Sequence, residues 1–229
     1  MSTDFSIYIG YDSRESICYD TCKRSITDTC VDETLAIKSI KQHDLKNIYR
    51  REHDPLAATE FAYTRFLVPY LNDYTGWALF CDCDFIFLDD VSKLFNLRDP
   101  DKAIMVCKHD YKPTNTIKMD GKIQSVYPRK NWSSLVLWNC SHPSNRIMIP
   151  DVVNKQTGKF LHRFEWLDDV EIGSIPVTWN WLVNWYQEPQ DGHPKALHFT
   201  EGGPWFDEWE ASVYDDQWIK YRDKLNEIG

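Results

Sequence analysis

Two aspartates interrupt a long apolar run. Trp77-Ala78-Leu79-Phe80-Cys81 leads into Asp82-Cys83-Asp84, and Phe85-Ile86-Phe87-Leu88 continues the run. The first segment reads as a buried strand with the acidic pair at its carboxyl end. Residues two apart in a strand point to the same side, so the two carboxylates converge. Like charges beside buried apolar surface are costly without a partner. A hard divalent cation supplies one, because Mg²⁺ and Mn²⁺ take oxygen ligands and keep positions for phosphate and water. The carboxyl ends of strands are also where open α/β sheets bind ligands. The bland alternative is a pair of loop aspartates that simply ends a strand. Asp89-Asp90 reads as an exposed turn or helix cap.

The flanking pattern is that of an α/β protein. Phe5 to Tyr11 reads as a buried strand. Asp12 and Glu15 have capping-box spacing, and the helix they open would bury Ile17, Cys18, Cys22 and Ile26. Thr34 to Ile40 is a second strand, which makes a parallel βαβ unit. Leu56 to Leu71 reads as helical, with Pro69 kinking or ending it. Ala103 to Cys107 and Ser134 to Trp138 are further core strands; Asp120-Gly121 between them signals a hairpin turn, and Ser144 a helix cap. Ile172 to Val177, Trp179 to Trp185 and Lys195 to Thr200 are short apolar segments, and Glu208 to Ile228 reads as a terminal helix.

The chain of 229 residues suits one domain, residues 1–229. A formal net charge of −9 weighs against a nucleic-acid partner. There is no basic leader followed by an apolar stretch and no window of membrane-spanning length, so a cytoplasmic protein is expected. Seven scattered cysteines without a C-x-x-C pair fit reduced thiols better than a disulfide framework or a zinc site. Ten Trp, twelve Tyr and eleven Phe fit a core and also fit sugar-binding walls; Trp179, Trp181 and Trp185 are read as core.

The stretch FAYTRFLVPYLNDYTGWALFCDCDFIFLDDVSKLF resembles the helix–strand–D-x-D core of glycosyltransferase family 8, a group of GT-A enzymes containing glycogenin and bacterial lipopolysaccharide galactosyltransferases. The resemblance rests on Tyr63-Thr64-Arg65, then Pro69, then Asp82-Cys83-Asp84. It implies an α/β GT-A fold, a Rossmann-like mixed sheet flanked by helices. It also implies a nucleotide-sugar donor (a UDP-sugar), a Mn²⁺ or Mg²⁺ ion, retention of anomeric configuration and a glycan or other hydroxyl acceptor. By that resemblance Tyr11 stacks on the base and Asp12 accepts from it, although Asp12 also fits a helix cap. Arg65 contacts the base, steadies the acidic cluster or makes a structural ion pair.

Leu197-His198-Phe199-Thr200-Glu201-Gly202-Gly203-Pro204-Trp205 resembles the family's His-Phe…Gly…Lys-Pro-Trp segment. That implies His198 as the third metal ligand, against an ordinary buried histidine, with Gly202 and Gly203 facing the diphosphate. The segment is one residue short, and Gly203 stands where the family has a lysine; Lys195 is a nearby substitute. Ser133, in Trp132-Ser133-Ser134, falls where the family has small residues facing the sugar. Asp168 and Asp169 resemble the family's Asp-Gln-Asp near the anomeric carbon, against a solvated acidic turn. A nucleotidyltransferase is disfavoured by the single glycine of Gly-Tyr-Asp-Ser-Arg-Glu after the first strand. A non-catalytic carbohydrate-binding protein and an inactive transferase relative are the other readings.

Overall fold

A computed structural model describes residues 5–32, 34–52, 54, 57–109, 128–187, 193–209 and 211–227. The hairpin expected at Asp120-Gly121 lies outside them. In chain order the elements are β1 (Phe5–Gly10), α1 (Ser16–Thr29), β2 (Ala36–Ile40), α2 (Val68–Leu71), β3 (Trp77–Cys81), β4 (Phe85–Phe87) and α3 (Ser92–Phe95). There follow β5 (Ile104–Val106), β6 (Leu135–Asn139), α4 (Pro150–Lys155), α5 (Gly158–His162), β7 (Ile172–Ser174), β8 (Trp181–Leu182), β9 (Ala196–His198) and α6 (Asp215–Asp223).

Six strands form one sheet in the order β2-β1-β3-β6-β5-β7. β1 pairs in parallel with β2 and β3, and β5 with β7, while β6 runs antiparallel to both its neighbours. The expected βαβ unit is therefore present within a mixed sheet. Central strands β3 and β6 read as continuous apolar runs because they are covered on both faces. β2, at the edge, alternates instead and carries Lys38 outward, a charge that discourages a further strand from pairing there.

β4 does not extend β3. It belongs to a separate three-stranded sheet ordered β4-β9-β8. Phe85, Ile86 and Phe87 are fully buried, each side chain stabilising the join between sheets by roughly 2–3 kcal/mol of apolar burial. α1 packs across β4, fastened by Ser25, whose hydroxyl accepts from the Phe87 amide at 2.9 Å and donates to the Cys22 carbonyl at 2.7 Å. Cys18, Cys22 and Ile26 are buried as the periodicity predicts, whereas Ile17 is 38% exposed because its side chain falls off that face.

The helix expected over 56–71 is instead a 3-10 turn, Thr64–Leu67, followed by α2. Pro69 sits in the first turn of α2, where its missing N–H costs nothing. Upstream the chain is pulled out of helix by a tertiary bond: the Glu60 amide donates to the Asp12 carboxylate at 3.1 Å. The expected Ser144 cap falls two residues earlier, at His142, whose imidazole accepts from the Ser144 amide. The terminal helix is also shorter than predicted. Asp215 starts it by accepting from Trp209 Nε1 at 3.0 Å and from the Ser212 hydroxyl at 2.7 Å. All seven cysteines are free, and among the described residues no helix is long and apolar enough to cross a membrane.

β1 ends on a glycine for a steric reason. A Cβ at Gly10 would lie 2.4 Å from the Phe61 ring, on the segment that walls the large cavity. Gly10→Ala is expected to lower the free energy of unfolding by about 1–3 kcal/mol, the cost of overpacking, as read from urea denaturation.

Candidate active site

The acidic pair sits where the chain leaves one sheet for the other. The Asp82 amide donates to the Ser134 carbonyl at 2.9 Å, beside the six-stranded sheet. The Phe199 amide donates to the Asp84 carbonyl at 3.0 Å, beside the three-stranded sheet. Asp82-Cys83-Asp84 is thus a turn pinned at both ends rather than a strand, and this corrects the simple alternation argument. The carboxylates still converge, because the buried Cys83 anchors the turn between them.

His198 reaches the same place from β9, paired directly opposite Phe85. Its ring stacks on the Phe85 ring at 4.4 Å between centroids. One ligand atom from each of Asp82, Asp84 and His198 lies within 4.8 Å of the others. The three sequence-predicted ligands are therefore together in space. The donor set fits a divalent cation: Asp84 Oδ1 is buried without a hydrogen bond, and its near neighbour, His198 Nε2, stands 3.5 Å away.

Arg65 supplies the fixed counter-charge. Its guanidinium pairs with Asp82 Oδ1 at 2.7 Å and donates to the Ser133 carbonyl at 2.9 Å. This ion pair is common to two of the readings for Arg65, a structural pair and a support for the acidic cluster. The ring of His162 joins this wall through Ser133, with Nδ1 2.9 Å from the hydroxyl. Burial, assisted by the nearby Arg65 and Arg51 charges, pushes His162 down from 6.5 to about 3. Tyr63 is pushed up to about 12 by burial and by Asp54, which accepts a hydrogen bond from its hydroxyl at 2.5 Å.

These residues line a cavity of about 590 Å³. Arg65, Asp82, Asp84, Ser133 and His198 all face it, as expected. Tyr63, of the Tyr63-Thr64-Arg65 pattern, also lines it, and so do Lys159, Arg163, His162 and Asp54, which were not singled out from the sequence. No local pattern marks them, since α5 has only five residues and its role is set by packing on Tyr63 and Ser133.

The other expected site residues lie elsewhere. Asp12 is fully buried; its carboxylate accepts from Arg14 at 2.9 and 2.6 Å and from the Glu60 amide, so it caps and cross-links. Burial pushes its pKa up, but the Arg14 and backbone donors outweigh this and hold it below the usual range. Tyr11 lines neither the large cavity nor the two beside it, and meets Tyr19 edge-on while Lys41 lies over its ring. Asp168 and Asp169 are exposed and do not line the cavity. Asp168 makes a capping box with Glu171, and Asp169 pairs with Arg129, so an acidic turn satisfies its own backbone there.

Gly202 has φ of 122°, a conformation suited to glycine, and its amide is used by the Phe199 carbonyl. It lines a small recess that shares Glu15, Asp84 and Thr200 with the large cavity. A Cβ at Gly203 would meet the Trp205 ring at 2.1 Å, so the lysine of the family pattern has no room here. Lys195 does not substitute for it; it lies 3.8 Å from Asp89 and over Trp179, outside the cavity lining.

The sheet order and the acidic turn define the GT-A glycosyltransferase fold, and solved structures agree. The bifunctional glycosyltransferase WbbM superposes with a TM-score of 0.69 at 12% identity, over 97% of this chain and 50% of that one. GlyE of Streptococcus pneumoniae gives 0.62 at 14%, over 97% and 62%. The galactosyltransferase LgtC, solved with donor and acceptor sugar analogues, gives 0.58 at 12%, over 96% and 95%. The chain thus spans about half of WbbM and under two thirds of GlyE. It matches no protein-family model. Protein CDI of Arabidopsis thaliana is 49% identical over 227 residues, 97% of this chain and 87% of that protein, and the chain belongs to the CDI family.

Because His162 is neutral when folded and ordinary when unfolded, unfolding takes up a proton between the two pKa values. Its contribution is fully present above pH 6.5 and is lost as pH falls toward about 3. His162→Asn is expected to reduce the slope of unfolding free energy against pH in that window by up to about 1.4 kcal/mol per unit. Urea midpoints taken at pH 4, 5 and 6 would check it.

Proposed function

We propose that this protein is a metal-dependent glycosyltransferase that moves a sugar from a nucleotide-sugar, a UDP-sugar, to an acceptor hydroxyl with retention of configuration. The observation that carries the proposal is the convergence of Asp82, Asp84 and His198 within 4.8 Å on the wall of a cavity of about 590 Å³. A volume of that size suits a small organic ligand.

A divalent cation, Mn²⁺ or Mg²⁺, held by these three residues would act as a Lewis acid toward the charge that develops on a departing diphosphate. Arg65 keeps Asp82 in place, and Ser133, held by His162, presents a hydroxyl to the donor sugar. Lys159 and Arg163 take the part of the missing family lysine, since both are cationic side chains in the cavity lining, Lys159 with an ion pair to Glu165 at 3.7 Å. The base is assigned to the adjoining space of about 350 Å³, which shares Asp54, Ala57, Thr59 and Tyr63 with the main cavity and adds Gln42 and Tyr49. Tyr11 and Asp12 then support this region through the fold, and Gly202 borders the diphosphate. Location in the cytoplasm is part of the same proposal.

Calorimetric titration with UDP tests the reading. Binding is expected to require Mn²⁺ and to vanish in Asp84→Ala with the thermal transition retained. Equal UDP binding without metal, or in that variant, would overturn it. Lys159→Ala is expected to weaken UDP binding about five- to tenfold, as for loss of one charge-assisted contact, with no change in Mn²⁺ affinity measured without nucleotide.

A further inference from the structure

We infer that Asn180 is a positioning residue that locks His198 in the Nδ1–H tautomer and so aims a lone pair of Nε2 at the cation site. The inference deepens the metal-site reading above and rests on it for its functional meaning. The tautomer itself follows from hydrogen bonds alone.

The chain of bonds has a fixed direction. Asn131 sits at φ 62°, a left-handed conformation that Asn tolerates, and its carbonyl accepts the Ser134 amide at 3.2 Å. The same carbonyl lies 2.7 Å from Ser134 Oγ. A carbonyl can only accept, so the single hydroxyl proton of Ser134 is committed to it. Toward Asn180, therefore, Ser134 Oγ can only accept, and the group facing it at 2.9 Å must be the Asn180 NH₂. The amide orientation is then settled, and Asn180 Oδ1 faces His198 Nδ1 at 2.8 Å. Oδ1 accepts, so Nδ1 carries the proton. In the neutral ring Nε2 is left bare.

Bare Nε2 points at Asp84 Oδ1, 3.5 Å away, an oxygen with no hydrogen bond of its own. Two acceptors then face one another, an arrangement that a cation between them relieves. The supports are buried: Asn180 is fully buried, His198 2% exposed and Ser134 3% exposed. Water therefore does not scramble the relay. Partners of this kind typically change metal affinity by about 10- to 100-fold.

Two measurements test it on the full chain. Long-range ¹H–¹⁵N spectra of the metal-free protein at pH 8, with His198 identified by its loss in His198→Gln, are expected to show a protonated Nδ1 and a bare Nε2. In Asn180→Leu they are expected to shift toward protonated Nε2. Protonated Nε2 in the wild type, or an unchanged spectrum in Asn180→Leu, would overturn the assignment. Titration with Mn²⁺ alone, following the free ion by electron paramagnetic resonance, is expected to show affinity about 10- to 100-fold weaker in Asn180→Leu. Asn180→Asp, which keeps an acceptor for Nδ1, should stay within a few-fold of wild type. Equal weakening in both variants would mean a packing role only. Ser134→Ala is the milder probe if Asn180→Leu folds poorly: it keeps Asn180 but frees its amide to flip, and an intermediate loss is expected, an unchanged affinity counting against the relay. Failure of the wild type to hold Mn²⁺ would sink the metal reading, while the spectra would still decide the tautomer.

Discussion

The transfer of the chain from one sheet to the other at Asp82-Cys83-Asp84 is the constraint on which the site depends. β3 delivers the turn from the parallel part of the large sheet, and β4 carries it into the small one. Two backbone bonds, to Ser134 and from Phe199, hold the ends of the turn. Because Ser134 also belongs to the His198 relay and Phe199 follows His198, the same contacts that fix the backbone bring His198 into place beside the acidic pair. A shift of either sheet would move Asp82, Asp84, His198 and the cavity wall together.

Charge is the second organising term. The acidic turn stands beside fully buried aromatic surface, where an uncompensated carboxylate would be unstable. Asp82 is compensated by Arg65, which itself is 6% exposed and tied to the Ser133 carbonyl. Asp84 Oδ1 faces the imidazole edge of His198 at 3.5 Å. The site is therefore asymmetric: one carboxylate is paired with Arg65, and the other keeps a buried oxygen without a hydrogen bond among the described residues. The flanking histidines are kept neutral: burial, with the nearby His198 adding to it, pushes His109 down to about 3, as burial does for His162. Arg65, Lys159 and Arg163 bring positive charge to the cavity lining.

Much of the architecture was legible locally. β1, α1, β3, β5 and β6 announce themselves because strands buried on both faces must be continuously apolar, and α1 because its buried cysteines and Ile26 recur with the helical repeat. The region over 56–71 misled for a definite reason. One of its amides, that of Glu60, is taken by the Asp12 carboxylate, a partner more than forty residues away in sequence. Asp168 and Asp169 are ambiguous for another reason: two adjacent acids look alike whether they face a substrate or cap a turn, and only the structure shows their contacts with Glu171 and Arg129.

By itself, then, the amino-acid order determined the acidic pair, its position after a buried strand and the candidate histidine, and through its resemblance to a known pattern the GT-A fold, because each leaves a mark in residue type and spacing. Only the tertiary structure decided which groups complete the site. That Arg65 meets Asp82, that Asn180 meets His198, that α5 brings Lys159 and Arg163 to the cavity and that Trp205 fills the space of a lysine are all contacts between segments remote along the chain. Their geometry comes from sheet order and packing, which no local spacing encodes.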